Sequence, residues 1–342
     1  MTPLLTVENL RKEFHTGNSL FAHGKSRLKA LDGVSLTIHK GECFGLVGES
    51  GSGKSTFARC VLNLLPPTSG RIVFDGKTIF DSKEKINLSY TEMLPLRREM
   101  QIIFQDPTAS LDPRMTALDI VAEGIRKHRT VPAPEAEKTA GDYLELCGIH
   151  RELGRRRSAE FSGGQKQRIG IARSLALRPS FIAADEPLSA LDVSVQSQVL
   201  NLMRDLRSQF NLTFLFISHD LETVQYFCDR IGVLYLGALV ETGSSVTISD
   251  CPLHPYTRAL FSAVPKSRPG EQKLRIPLRG EIPSPINAPS GCKFHTRCPH
   301  VQDLCSKTPP EFTDAGGGHF VSCHFWKEIL HETAGLNASA SI

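Results

Sequence analysis

Short runs rich in apolar and β-branched residues open the chain at Leu4 to Val7, Val34 to Ile38 and Glu42 to Val47, and their length and composition predict strands. Phe181-Ile182-Ala183-Ala184 and Thr213-Phe214-Leu215-Phe216-Ile217 are continuous apolar runs that end in polar residues, as strands buried within a parallel sheet do. Between them, apolar residues recur at Val195, Val199, Leu202, Met203 and Leu206, a helical spacing over Val195 to Phe210. Strand, helix, strand in that order predicts an α/β fold, with a largely parallel sheet covered by helices. From about Thr116 to Leu177 the strand signal disappears and helical patterns dominate, which predicts an inserted helical lobe with a loop at Pro132 and Pro134. After Val264, Pro265, Pro269, Pro277, Pro283, Pro285 and Pro289 punctuate a linker-like stretch. A small polar tail from about Glu332 is expected to fray.

Composition narrows the class. The 342 residues are 40% hydrophobic and 22% charged, enough to bury a sizeable core. A net charge of +4 is too slight to imply nucleic-acid binding by itself, and fits a protein beside an anionic membrane face equally well. The longest apolar candidate, Ile231 to Val240, is broken by two glycines and falls short of the ~18 residues a membrane helix needs. The N-terminus lacks the basic and apolar regions of a secretory signal, so a cytoplasmic location is expected. The nine cysteines are then expected as thiols or metal ligands rather than disulfides. Cys43, Cys60, Cys147, Cys228 and Cys251 are scattered, whereas Cys292, Cys298, Cys305 and Cys323 crowd one C-terminal region.

The chemistry begins at Gly48-Glu49-Ser50-Gly51-Ser52-Gly53-Lys54-Ser55-Thr56, which has the G-x-x-x-x-G-K-[ST] pattern of a phosphate loop (Walker A). It follows the run Cys43 to Val47 and precedes a helical segment, the context that the motif requires. Its glycines let successive N–H groups face a triphosphate, Lys54 would reach the β- and γ-phosphates, and Ser55 would ligate Mg²⁺. Asp185-Glu186 closes a second strand. If that strand pairs beside the phosphate loop, Asp185 meets the magnesium shell and Glu186 is placed to polarise the attacking water. Phe161-Ser162-Gly163-Gly164-Gln165 reads as another anion-binding helix start, with Ser162 as N-cap. One nucleotide does not need two such termini; the second could serve a nucleotide bound to another copy of the fold.

Together with Gln105 in Ile102-Ile103-Phe104-Gln105-Asp106-Pro107, Ser189-Ala190-Leu191-Asp192 and His219 in Ile217-Ser218-His219-Asp220, these motifs resemble, in order, an ABC-transporter ATPase over about Leu4 to Pro265. The resemblance implies a P-loop ATPase core over residues 1–265: a parallel sheet with helices, a small antiparallel β subdomain, and a helical insertion at about 106–178. It implies that Gln105 touches the Mg²⁺ site and senses the membrane subunit. Ser162, Gly163, Gly164 and Gln165 become the signature that closes over ATP held by the opposite subunit. Asp192 lies at the dimer seam, and His219 contacts the γ-phosphate. Phe14 stands where the family usually stacks a Tyr on adenine, just before the segment His15 to Lys29, which reads as a variable loop.

His254-Pro255-Tyr256-Thr257-Arg258-Ala259-Leu260, the proline-rich stretch and the cysteine region resemble the ATPase subunits of dipeptide and oligopeptide importers. This places a C-terminal Cys-rich module at 266–330 and a tail at 331–342. Four soft thiolates suit Zn²⁺ or an iron–sulfur cluster, and chemistry alone does not choose between them. The resemblance favours a 4Fe–4S cluster on Cys292, Cys298, Cys305 and Cys323, with Zn²⁺ as the alternative. The metal is expected to supply a core that the module otherwise lacks. His295, His300, His319 and His324 are expected at the surface. The subclass usually carries an aromatic-Pro-His element before the signature; here Arg155-Arg156-Arg157-Ser158-Ala159-Glu160 stands there, either as a solvated edge or facing an acidic loop or lipid headgroups.

The implied function is the ATP-driven motor of a dipeptide or oligopeptide importer, peripheral at the cytoplasmic face of the inner membrane. Its implied partners are a second ATPase subunit (a paralogue rather than an identical copy), two permeases and an external solute-binding protein. Alternatives are an importer ATPase for glutathione or a metal chelate, an exporter ATPase, and a soluble ABC ATPase. Soluble ATPases acting on nucleic acid usually carry two cassettes or a long coiled-coil insertion, and neither is present, so no nucleic-acid partner is expected.

Overall fold

A computed structural model of the chain describes residues 2–16, 26–264, 275–278 and 280–330. The expected fraying tail, Pro265 and Pro269 lie outside the described residues.

Two sheets organise the fold. The first is antiparallel, formed by β1 (Pro3–Thr16), β2 (Ser26–His39), β4 (Ser69–Phe74), β5 (Lys77–Asp81) and β6 (Ile86–Asn87) in the order β2-β1-β4-β5-β6. The second contains β3 (Cys43–Val47), β7 (Met100–Ile103), β8 (Phe181–Asp185), β9 (Thr213–Ile217), β10 (Arg230–Tyr235), β11 (Ala238–Ser244), β12 (Thr313–Asp314) and β13 (Phe320–Val321). Its order is β12-β13-β11-β10-β3-β9-β8-β7, parallel from β10 to β7 and antiparallel at the β11 side. Every residue of β3, β8 and β9 is buried, which is why these strands read as unbroken apolar runs.

The helices are α1 (Lys54–Val61), α2 (Tyr90–Glu99), α3 (Pro107–Ser110), α4 (Ala117–His128), α5 (Ala136–Leu146), α6 (Gly163–Leu175), α7 (Val193–Phe210), α8 (Leu221–Phe227), α9 (Ser245–Asp250), α10 (Pro255–Ser262) and α11 (Asp303–Lys307). Between β7 and β8 the chain forms only helices and 3₁₀ turns, apart from one bridge between Thr116 and Arg157. The buried faces of α4, α5 and α6 share one core with the main sheet.

Several expectations need correction. The strand carrying Asp185 does not pair beside the phosphate-loop strand, because β9 lies between β3 and β8. The segment His15 to Lys29 is not all loop: His15 and Thr16 pair with Arg27 and Ser26, and residues 17–25 lie outside the described residues. The apolar run Ile231 to Val240 is a hairpin, turning at Leu236 and Gly237, both with positive φ. Of the proline-rich stretch, Pro285–Asn287 forms a 3₁₀ turn packed on β2. The cysteine region does not lack a core: Phe294 and Val321 are fully buried, Phe294 joins the main hydrophobic core, and β13 extends the main sheet beside β11. His319 is not at the surface. Its Nε2 lies 2.7 Å from Glu241 Oε1, and the fully buried Glu241 carboxylate also accepts from the backbone N–H groups of Leu253 and His254.

Candidate functional site

The phosphate loop is shaped by positions that only glycine can fill. Gly48 has φ 152°, and a Cβ there would lie 2.2 Å from the Leu234 carbonyl oxygen; Gly53 has φ 107°, and a Cβ there would lie 2.4 Å from that of Ala30. Gly53 caps α1 without a side-chain hydrogen bond, leaving the amides of the first turn directed at the loop. Lys54 is buried, and its ammonium donates to the carbonyls of Gly48 (2.7 Å) and Glu49 (3.0 Å). Burial lowers its pKa, opposed by the carboxylates of Glu186, Asp185 and Glu49. Among the described residues the buried Ser52 hydroxyl has no protein partner, an open donor in a cradle suited to an anion.

Sheet register brings the second half of the site to the same edge. Leu46 aligns with Ile217, and Ile217 with Asp185, so the carboxyl ends of β3, β9 and β8 form one row. Helix α1 packs over β9 onto β8, which lets Ser55 Oγ donate to Asp185 Oδ1 at 2.8 Å despite the intervening strand. Burial pushes the Asp185 carboxyl up, and the Ser55 hydrogen bond offsets part of this. This adjacent hydroxyl and carboxylate are the hard-oxygen donors that Mg²⁺ takes.

Glu186 follows in the left-handed region at φ 47°, its N–H bonded to the Ile217 carbonyl. Its Oε2 accepts from Gln105 Nε2 at 3.0 Å and lies 3.3 Å from His219 Nδ1. The structure therefore gathers Gln105, Glu186 and His219, residues from three separate motifs. Gln105, expected at the magnesium site, meets Glu186 rather than Asp185.

The Ser162 motif stands apart from this cluster. Ser162 caps α6 in a reciprocal box with Gln165: its N–H donates to Gln165 Oε1 and its Oγ accepts from Gln165 N–H, while its carbonyl accepts from Lys166 N–H. Ser162 and Gly163 are exposed. Gly164 has an internal reason to be glycine: a Cβ would lie 2.4 Å from Val195 Cγ1. Asp192 caps α7, accepting from Val195 N and Ser194 Oγ, and those hydrogen bonds lower its pKa. Phe14 lies on β1, about a third exposed, with the Lys12 ammonium 5.1 Å from its ring centre.

Cys292, Cys298, Cys305 and Cys323 line one small enclosed apolar cavity, with Phe294, His254, His295, His300 and His324 around it. His295, His300 and His324 are thus half-buried beside the thiols rather than freely solvated. Burial raises the Cys298 pKa to about 11 and that of Cys323 to about 12. His254 is fully buried, its Nε2 without a hydrogen-bond partner among the described residues, and burial lowers its pKa to about 3. The donor set thus suits a thiophilic metal. Among the described residues, however, no three His, Cys, Asp or Glu side chains form a group that could hold a metal ion, so the geometry lends the 4Fe–4S expectation no support.

Sequence reasoning missed what holds the phosphate loop from behind. The Tyr256 hydroxyl accepts from Glu49 N–H at 2.9 Å, and Arg297 grips the Glu49 carboxylate at 2.7 and 3.2 Å. Tyr256 and Arg297 both lie in segments noted in the sequence, yet nothing in their spacing links them to residue 49.

A phosphate loop and a carboxylate pair at the carboxyl edge of a parallel sheet define a P-loop nucleoside triphosphatase. The ABC transporter family matches residues 31–189, and the oligopeptide/dipeptide transporter C-terminal region matches residues 240–305. The oligopeptide transport ATP-binding protein AppF of Bacillus subtilis is 47% identical over 326 residues, 94% of this chain and 97% of that one. The ATP-binding cassette MJ0796, in a dimeric post-hydrolysis state bound to ADP and Pi, is 29% identical with a TM-score of 0.61, covering 71% of this chain and 99% of that one. CbiO1 of Clostridium perfringens, part of the ABC transporter complex CbiONQ, gives 28% and 0.61, covering 74% of this chain and 93% of that one. The chain belongs to the ATP-binding subunits of ABC transporters, in the oligopeptide/dipeptide transporter branch. It is an ATPase, and among the described residues no helix is long and apolar enough to cross a membrane.

Proposed function

We propose that this chain is the ATP-hydrolysing motor of a dipeptide or oligopeptide importer, working at the cytoplasmic face of the inner membrane with two permeases, an external solute-binding protein and a paralogous second ATPase. The observation that carries the catalytic part is the Glu186 carboxylate, held by Gln105 and His219 one residue beyond the Ser55–Asp185 pair. Residues Gly48 to Thr56 cradle the phosphates, and Phe14 offers its ring to the adenine. Ser55 and Asp185 would hold Mg²⁺, with Gln105 nearby, and the bound ion would supply positive charge to neutralise the phosphates. Glu186 polarises the attacking water while His219 orients it. Ser162, Gly163, Gly164, Gln165 and Asp192 complete the site of the opposite subunit. The exposed, separate position of Ser162 supports that division of labour.

We assign residues 1–265 to the ATPase, with its helical subdomain at about 106–178, and 266–330 to the C-terminal extension, followed by the tail at 331–342. For Cys292, Cys298, Cys305 and Cys323 we propose a 4Fe–4S cluster, with Zn²⁺ as the alternative for the same thiols; this reading rests on the softness of the four thiols, not on a formed ligand cage. Anaerobically purified protein is expected to be brown, to absorb near ~400 nm and to contain iron and sulfide; stoichiometric zinc without iron refutes the cluster. The transport reading is tested in cells. With Lys54→Ala as the sole copy, uptake of labelled di- and oligopeptides should fall to background. Undiminished peptide uptake, with loss of a different solute instead, overturns the substrate assignment.

A further inference from the structure

The second residue of the phosphate loop carries a negative charge, which is unfavourable beside a triphosphate. Glu49 adds a carboxylate to a loop whose other features, the open amides of α1 and the Lys54 ammonium, favour anions. That charge is answered from the far end of the chain. Arg297, between Cys292 and Cys298, meets Glu49 in a two-pronged ion pair, Nη1–Oε2 at 2.7 Å and Nη2–Oε1 at 3.2 Å. The guanidinium is 5% exposed and the carboxylate 22%, so solvent screens the pair poorly.

The surroundings fix the arginine. Its guanidinium carbon lies 5.9 Å from the Tyr235 ring centre, and Nη1 is 3.4 Å from the Tyr235 hydroxyl. Tyr235 packs on Tyr256 (4.7 Å) and Phe294 (5.3 Å), and Tyr256 is the residue that accepts from the Glu49 backbone N–H. Glu49 is therefore held at both its amide and its carboxylate by groups outside the loop. Its carbonyl in turn accepts from Lys54 and from the Ser52 N–H, so its placement bears on the phosphate-binding lysine.

We propose that Arg297 is a positioning residue for the nucleotide site: it neutralises and anchors Glu49 of the phosphate loop, so that the C-terminal cysteine-bearing segment sets how tightly the loop receives ATP. This rests on the reading of that loop as the ATP site. A purely structural arginine would contribute to stability alone, whereas a neutralising arginine becomes less necessary once the charge it answers is removed.

The test measures the Kd of the full-length chain for the Mg²⁺ complex of the non-hydrolysable analogue AMP-PNP. Arg297→Met is expected to weaken binding about tenfold, by leaving the Glu49 carboxylate unpaired beside the phosphates. Adding Glu49→Gln to Arg297→Met should restore the Kd to within about threefold of the parent, since neither charge then remains. Arg297→Lys keeps the charge but loses the fork, and should weaken binding about threefold; it carries the test if the methionine variant does not fold. Parent-like affinity in Arg297→Met or Arg297→Lys overturns the proposal, as does a double variant no tighter than Arg297→Met. Lys54→Ala, run alongside, checks the underlying reading separately: if it binds like the parent, the loop is not the ATP site, whatever Arg297 does.

Discussion

Glu186→Gln lowers steady-state ATP turnover about a thousandfold while the chain still binds ATP and closes with its partner. Gln occupies the same volume and can still hydrogen-bond Gln105 and His219, so the local geometry survives. What it loses is the negative charge that draws a proton from the attacking water. The phosphate loop, Lys54 and the Ser55–Asp185 pair are untouched, so binding is retained. Phosphate release in steady state reads the first effect, and ATP-dependent association measured by light scattering reads the second. Turnover near the parent rate removes Glu186 from the role of base and leaves His219 as the residue to test next.

The second large effect is expected at a residue that touches nothing in its own catalytic cluster. Ser162→Lys is predicted to cut ATP turnover of the assembled transporter at least about a hundredfold. Ser162 is exposed at the α6 N-terminus, and among the described residues its hydrogen bonds run to Gln165 and Lys166 of its own helix. The capping change costs about 1 kcal/mol locally, too little to unfold the chain. The isolated chain therefore keeps its affinity for ATP, because its own phosphate loop is elsewhere. The loss should be visible only after pairing, when a long cationic side chain replaces the cap at the seam. Comparing AMP-PNP binding by the lone chain with hydrolysis by the complex separates the two. Full-speed turnover in the complex would mean that each chain carries a self-sufficient site and that Ser162 serves only its own helix.

The same division between local and distant effects explains how much of the molecule was legible in its sequence. The phosphate loop was fully readable because its requirements are local: glycine at positive φ, lysine at the helix start and a buried strand before it. Strands β3, β8 and β9 were readable because burial on both faces writes an unbroken apolar run. The start of α7 was read two residues late, since its cap, Asp192, precedes the first periodic apolar residue, whereas its end at Phe210 was read correctly. Gly164 was readable as a special position but for an incomplete reason. Its closeness to Val195 is a packing fact that no pattern along α6 could disclose.

The order of strands was not legible. An apolar run states that a strand is buried, not which strand lies beside it, so the placement of β9 between β3 and β8 emerged only from the assembled sheet. The grip of Arg297 on Glu49 and the burial of His319 against Glu241 share that character: each joins residues far apart in the chain, and ion pairs leave no periodic trace in sequence. The cysteines occupy an intermediate place. Their crowding could be counted along the chain, but only folding shows that all four line one cavity beside His254.

The amino-acid order by itself determined the chemistry available: a cradle for phosphate, a carboxylate pair, a capped glycine turn and four soft thiols. Each of these arises from backbone freedom or side-chain type within a few residues. The tertiary structure alone decided which of these groups meet, because register and helix crossing set distances between strand ends that local propensity does not encode. It placed Asp185 against Ser55 across an intervening strand, gathered Gln105 and His219 around Glu186, and set Arg297 behind the loop.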